Sequence, residues 1–241
     1  MSKISISPST ILNPVQVVMV SCAGKKPEKE GCGPNIITVA WAGTVNSEPP
    51  MVSVSIRKSR HSHGLICETQ EFVINLVNKK LAKACDYCGV RSGANENKFE
   101  KLDLHAVSVP GVQYAPAIEE APVSIACKVK DVIELGSHDM FLAEVTGVSV
   151  EESLMDEKGK ICLEKAGLVA YCHGEYFLLG EILGFFGYSV ASKEALKRRM
   201  PKKNTTKAAA SAKKSATSAK DSGKKAPRSS SKSTGKNKRK H

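Results

Sequence analysis

Between Asn35 and Arg57 the sequence NIITVAWAGTVNSEPPMVSVSIR carries two runs that alternate with period two, and a chain built on such runs is constrained to form a sheet. In the first run Ile37, Val39 and Trp41 share one face, while Thr38, Ala40, Ala42 and Thr44 share the other, which is small and flat. In the second run Val52, Val54 and Ile56 form the apolar face, opposite Ser53, Ser55 and Arg57. Pro49 and Pro50 mark the turn between them. Ser59, Arg60, His61 and Ser62 follow, ahead of a short helical pattern at Leu65 and Ile66, where unpaired backbone N–H groups and the helix dipole favour an anion. Strand hydroxyls, a guanidinium and a helix mouth together fit a phosphate, and the small face beside them leaves room for a planar ring. The plain alternative is a pair of half-solvated surface strands.

The rest of the chain reads as more strands and few helices. A strand opens after Pro14, with Val15, Val17 and Met19 against Gln16, Val18 and Val20, apolar enough to be buried on both sides. Glu71 to Val77 alternates again and includes Asn75. Leu81, Ala84, Cys85 and Cys88 recur at helical spacing, with Gly89 where that helix would end. The loop RSGANEN runs into a short helix around Lys98 and Phe99. Long alternating runs from Pro122 to Leu135 and from Met140 to Val150 are joined by GSHD, the mark of a hairpin. This pattern predicts a mainly β fold, a closed or nearly closed antiparallel barrel with a few short helices.

The chain has 241 residues and is 41% hydrophobic, enough for one sizeable core with a segment left over. Its charge is uneven. Residues 191–241 hold 18 Lys or Arg and 2 acidic residues, a net +16, so the total of +12 leaves about −4 for residues 1–190. After Pro201 there is no Leu, Ile, Val or aromatic residue, a composition that predicts disorder. The expected division is therefore a folded part over 1–190 and a disordered basic tail over 191–241. Such a tail can bind nucleic acid non-specifically by releasing counterions, or can serve only to solubilise the chain.

No apolar run of roughly 18 residues or more is present, and the first 22 residues, with one Lys and two prolines, make a poor secretory signal, which points to a cytoplasmic protein without a membrane span. Eight scattered cysteines fit reduced thiols better than a disulfide scaffold. Cys85-x-x-Cys88 can be a redox dithiol, half a zinc site or two packed small side chains; the last is favoured, and no metal is expected, because no second pair stands at ligand spacing. Neither a G-x-S-x-G, an H-E-x-x-H, a P-loop nor a Rossmann fingerprint occurs.

The central stretch, continued by EFVINLV, CGVRSGANENKFEKLDL, APVSIACKVKDVIELGSHDMFLAEV and GEYFLLGEILGFFGYS, resembles the flavin reductase-like family of FMN-binding split barrels, and within it the flavoredoxin type, over roughly residues 8–190. The resemblance implies a Greek-key split β-barrel, a homodimer, bound FMN, and NAD(P)H as a transient electron donor, with a redox protein or free flavin as acceptor. It implies that Asn35, Thr38, Ala40, Trp41 and Thr44 face the ring and ribityl chain. Ser53, Ser55, Arg57, Ser59, Arg60 and Ser62, joined by Ser92 and Lys98, would line the phosphate end. His173 becomes a candidate donor to ring or substrate, or a structural residue, and Asn75 a residue behind the flavin. His61 and His63 either assist the phosphate or cap the helix. No acid, base or nucleophile is then required of the protein, because the flavin itself carries the electrons. The competing reading is a non-enzymatic barrel that the basic tail tethers to DNA or RNA.

Overall fold

The alternation that runs from Asn35 to Ser47 is interrupted at Ala40 and Trp41, and that interruption decides the architecture. In the computed structural model, which describes residues 1–200, the chain first forms β1 (Val15–Gln16), β2 (Val18–Cys22), β3 (Asn35–Val39), β4 (Ala42–Ser47) and β5 (Pro50–Arg57). There follow α1 (His61–Thr69), β6 (Glu71–Leu76), α2 (Ala82–Val90), α3 (Lys98–Leu102), β7 (Ala106–Val107) and β8 (Ala117–Ile118). The hairpin β9 (Val123–Glu134) and β10 (His138–Val150), then β11 (Val169–Cys172), β12 (Glu175–Leu178) and α4 (Lys193–Arg199) complete the described elements longer than a single 3-10 turn.

The main sheet has seven strands in the order β3-β2-β6-β9-β10-β5-β4. Every neighbouring pair is antiparallel. β3 and β4 stand at opposite ends of that order, yet only two residues separate them in the chain. The bend at Ala40–Trp41 therefore carries one edge of the sheet round to the other, and Ser55 N donates to Trp41 O across 2.9 Å at the seam. One strand was expected from Asn35 to Thr44. Two are found, and residues beyond the bend lie on a different wall from those before it.

Inside the curl, Val18, Val20, Ile37, Val39, Val54, Ile56, Phe72 and Phe141 pack as one cluster. Met19 and Ile36 point the other way and pack with Leu81, Cys85, Cys88 and Phe99 of the helical layer. Both faces of β2 and β3 are thus covered, which explains why these strands are apolar throughout. Each fully buried Ile or Phe contributes about 1.5–3 kcal/mol by leaving water. The opening strand expected after Pro14 is split at Val17, because β1 leaves the main sheet and pairs with β11.

Asn75 has a purely structural setting. It is fully buried; its Nδ2 donates to Met19 O and Ser21 Oγ, and its Oδ1 accepts from Ile118 N and Ser124 Oγ. These bonds knit β2, β8 and β9 around β6 and account for its place in an apolar strand.

Met1–Gly180 form one compact unit and a second begins at Glu181, where the sequence suggested 190. Within the second, Ser192 Oγ accepts from Ala195 N at the start of α4, so an ordered turn of helix stands inside the stretch expected to be disordered. The rest of that expectation, and the nucleic-acid reading that leans on it, falls on residues 201–241, outside the described residues.

Candidate functional site

The bend at Ala40–Trp41, the end of β5 and the C-terminal half of α2 enclose a groove of about 600 Å³, a volume suited to a cofactor-sized molecule. Val17, Ile37 and Val39 give it an apolar floor, and Trp41, Tyr171 and Tyr176 give it aromatic walls. Tyr171 and Tyr176 meet edge to face with centroids 5.5 Å apart, which fixes their rings. Ser55, Arg57, Ser59, Arg60 and His138 make one polar end. A small hollow of about 10 Å³ shares Ile37 and Arg60 with the groove and is otherwise lined by Asn35, His61, Ser62, Arg91, Ser92, Gly93 and Lys98.

The polar end is cationic. Among the described residues none of Arg57, Arg60, Arg91 or Lys98 has a carboxylate oxygen within 4 Å in an ion pair. Lys98 is 2% exposed, and its Nζ donates to Ile36 O at 2.7 Å and Cys88 O at 3.0 Å. Burial pulls its pKa below 10.5, and the nearby Arg60 adds to that, while the Cys88 and Glu96 side chains act the other way. A buried ammonium held only by carbonyl dipoles is stabilised by any anion that reaches it. Arg60 donates to Gly89 O, so its guanidinium is held against the groove wall that Gly89 lines. Burial and the Arg57 charge both depress the His138 pKa and favour its neutral ring.

Asn35 supplies the clearest sign of a missing partner. Its Nδ2 donates to Ser62 Oγ at 2.7 Å, yet its Oδ1 is buried with no hydrogen bond. Gly93 stands against this amide so closely that a Cβ there would overlap it. Gly89 plays a similar part in α2, where a Cβ would come within 3.3 Å of Thr38 Cβ, so the helix approaches β3 closely because the residue is glycine. That proximity lets Thr38 Oγ1 donate to Cys85 O.

Of the residues picked from the sequence, Thr38, Ala40, Trp41, Ser55, Arg57, Ser59 and Arg60 line the groove, and Asn35, Ser62, Ser92 and Lys98, with His61, line the hollow. Four do not join them. Thr44 is exposed on β4, beyond the bend, and Ser53 lies opposite Gly43 and Leu142 inside the sheet. His173 is exposed at the tip of the β11–β12 hairpin, where it and Gly174 have φ of 50° and 99°; the strands of that hairpin send Tyr171 and Tyr176 into the groove instead. His63 faces away toward Asp139.

Sequence reasoning missed Tyr171, Tyr176, His138, Asp86 and the two glycines. Period-two spacing across the YCHGEY turn would have paired the tyrosines, and His138 sits in the GSHD turn already recognised. Asp86 gave no signal: it is one exposed carboxylate on a helix, which accepts from Tyr176 Oη at 3.2 Å. Cys85 and Cys88 are buried behind the groove, and burial pushes their thiols up to about 12 and about 11, as expected of packed, protonated side chains.

Residues 12–179 match the family model described as flavin reductase like domain. In fold, the flavoredoxin of Desulfovibrio vulgaris (Miyazaki F) is similar with a TM-score of 0.72 and 31% identity, covering 79% of this chain and 100% of its own. An uncharacterized protein of Archaeoglobus fulgidus is 35% identical over 128 residues, 53% of this chain and 72% of that protein. The NADH:riboflavin 5'-phosphate oxidoreductase of Streptomyces pristinaespiralis is 25% identical over 133 residues, 55% of this chain and 68% of that protein.

Proposed function

Because the chain belongs to the flavin reductase like family, we propose that its groove holds FMN and that the protein is an NAD(P)H-dependent flavin reductase or a flavoredoxin-like electron carrier. One observation carries the reading: an apolar, aromatic-walled groove of about 600 Å³ ends at Arg57 and Arg60, beside a hollow lined by Lys98 and by Asn35 with its orphaned amide oxygen. The residues present fit the cofactor's two halves. Val17, Ile37, Val39 and Trp41 would cover the ring, and Arg57 and Arg60, with the Ser62 end of α1 and Lys98, would hold the phosphate.

When bound, FMN supplies a ring that takes a hydride or single electrons. The protein's own share is positional and electrostatic. Arg57 and Arg60 neutralise the dianion, and the carbonyls of Ile36 and Cys88 hold the Lys98 ammonium in place. Tyr171 and Tyr176 narrow the open side and keep bulk water off the apolar floor. Burial, then the neighbouring Cys85 and Asp86 side chains, pushes the Tyr176 hydroxyl far up, so it stays a neutral donor at Asp86.

The family's homodimer is part of the same proposal. Steady-state oxidation of NADH and NADPH, followed with and without added FMN, tests it. Turnover that needs only catalytic FMN supports a resident cofactor, turnover that saturates with FMN supports flavin as substrate, and no oxidation of either nucleotide beyond the flavin-free rate counts against the reductase.

A further inference from the structure

Away from the groove, α1 carries a second constellation. His63 and Cys67 are four residues apart and share one helix face. Cys67 Sγ lies 3.7 Å from His63 Nδ1, and His63 Nε2 lies 2.8 Å from Asp139 Oδ2 in β10. A carboxylate can only accept, so Nε2 carries the proton of the neutral ring and Nδ1 turns its lone pair to the sulfur. The imidazole is steadied by Phe141, edge to face at 5.3 Å. Asp139, 5% exposed, is met by Lys58 at 3.3 Å, and Lys58 also pairs with Glu134 at 2.8 Å. Cys67 is exposed, whereas the other seven cysteines are buried or half-buried.

From this geometry we propose that Cys67, His63 and Asp139 form a thiol-modification site that reacts with small disulfides. Nucleophile, base and orienting carboxylate stand in the order that activates a thiol. Partial burial and the Asp139 charge push the Cys67 thiol above its usual 9.0, so the sulfur rests protonated and depends on His63 to take the proton. Cys67 lines neither the groove nor the hollow beside it. Acyl transfer would require donors around an oxyanion, whereas thiol–disulfide exchange spreads its charge along three sulfurs and requires none.

In the step, Cys67 Sγ attacks one sulfur of the disulfide as its proton passes to His63 Nδ1. A new S–S bond forms to Cys67, the old S–S bond breaks, and the departing sulfur leaves as a thiolate that takes the proton back from His63. Cys67 is oxidised and the departing sulfur reduced. Asp139 acts as a positioning residue, because it touches only the imidazole.

The test treats the full chain with glutathione disulfide and maps mixed disulfides by peptide mass spectrometry, with 5,5′-dithiobis(2-nitrobenzoate) giving rates. Cys67 should be modified at least tenfold faster than half-buried Cys32 and Cys172. His63→Gln should slow it about a hundredfold or more, the lower end of the roughly 10²–10⁴-fold that a general base contributes. Its remaining rate should climb with pH as free thiol ionisation does, while the wild-type rate flattens. Asp139→Asn, nearly isosteric, should lower the rate and steepen the pH profile in the same direction without loss of the circular dichroism melt. Equal labelling of the three cysteines in the wild type, which needs no variant to fold, would overturn the proposal. So would a folded His63→Gln or Asp139→Asn protein with wild-type rate and pH profile.

Discussion

The Asn35 side-chain amide donates to the Ser62 hydroxyl across 2.7 Å, and this bond ties the start of β3 to the first turn of α1. Both residues are almost fully buried, at 3% and 1% exposure, so neither end has water as a substitute. The bond sets where the helix mouth sits against the strand, and the other amide oxygen, packed beside Gly93, has no hydrogen bond.

Asn35→Ala should therefore act on both stability and binding. Loss of the buried pair should lower unfolding free energy by about 1–3 kcal/mol, and FMN affinity should fall by about tenfold or more. Denaturant titration and flavin binding on the same preparation check this. A variant weakened in neither property would show that the bond is incidental.

Lys98 makes pH a second handle. Burial depresses its folded pKa below 10.5, so as pH rises the folded chain gives up this proton before the unfolded chain does. Between the depressed value and 10.5 the unfolded state holds more protons, and stability gains with pH from this group. An anion in the hollow opposes the desolvation and raises the pKa again. Binding of FMN in that window should accordingly take up protons, seen as a heat that changes with buffer ionisation enthalpy, and Lys98→Met should abolish the difference.

Asn75 separates fold from site. Asn75→Ala would strand the Ser124 hydroxyl and the amide of Ile118, at a cost of about 3 kcal/mol, and should leave flavin affinity of the folded fraction unchanged. Thermal melts alongside flavin titration distinguish this from a role behind the ring, which would move both.

The phosphate end was legible in the sequence because it is local: Ser55, Arg57, Ser59, Arg60 and Ser62 lie within eight residues and need only a strand running into a helix. Barrel and hairpin were legible from alternation. What the sequence hid was long-range. No local pattern announces that the chain bends at Ala40–Trp41 and so moves Thr44 off the wall that Thr38 lines. Nor does it show that Gly89 and Gly93 serve close approach. Asn75 became a candidate behind the flavin only through the family resemblance. Its partners turned out to be the chain itself.

The cysteine pair yields a further check. With thiols pushed to about 12 and about 11 by burial, Cys85 and Cys88 should resist iodoacetamide in the native state and label fully in urea. Rapid native labelling, or a disulfide between them after mild oxidation, would return the redox dithiol to consideration.

Fluorescence titration of FMN with the full-length wild type and Arg57→Ala tests the central claim most directly. Arg57 is exposed and has no carboxylate partner among the described residues, so its loss should leave the melt unchanged. Loss of a charge-assisted phosphate contact of about 1.5–3 kcal/mol should raise the Kd for FMN roughly ten- to a hundredfold. Saturable quenching by the wild type with that weakening in the variant is the expected result. Absence of FMN binding by the folded wild type, or equal affinity in both proteins, would contradict it.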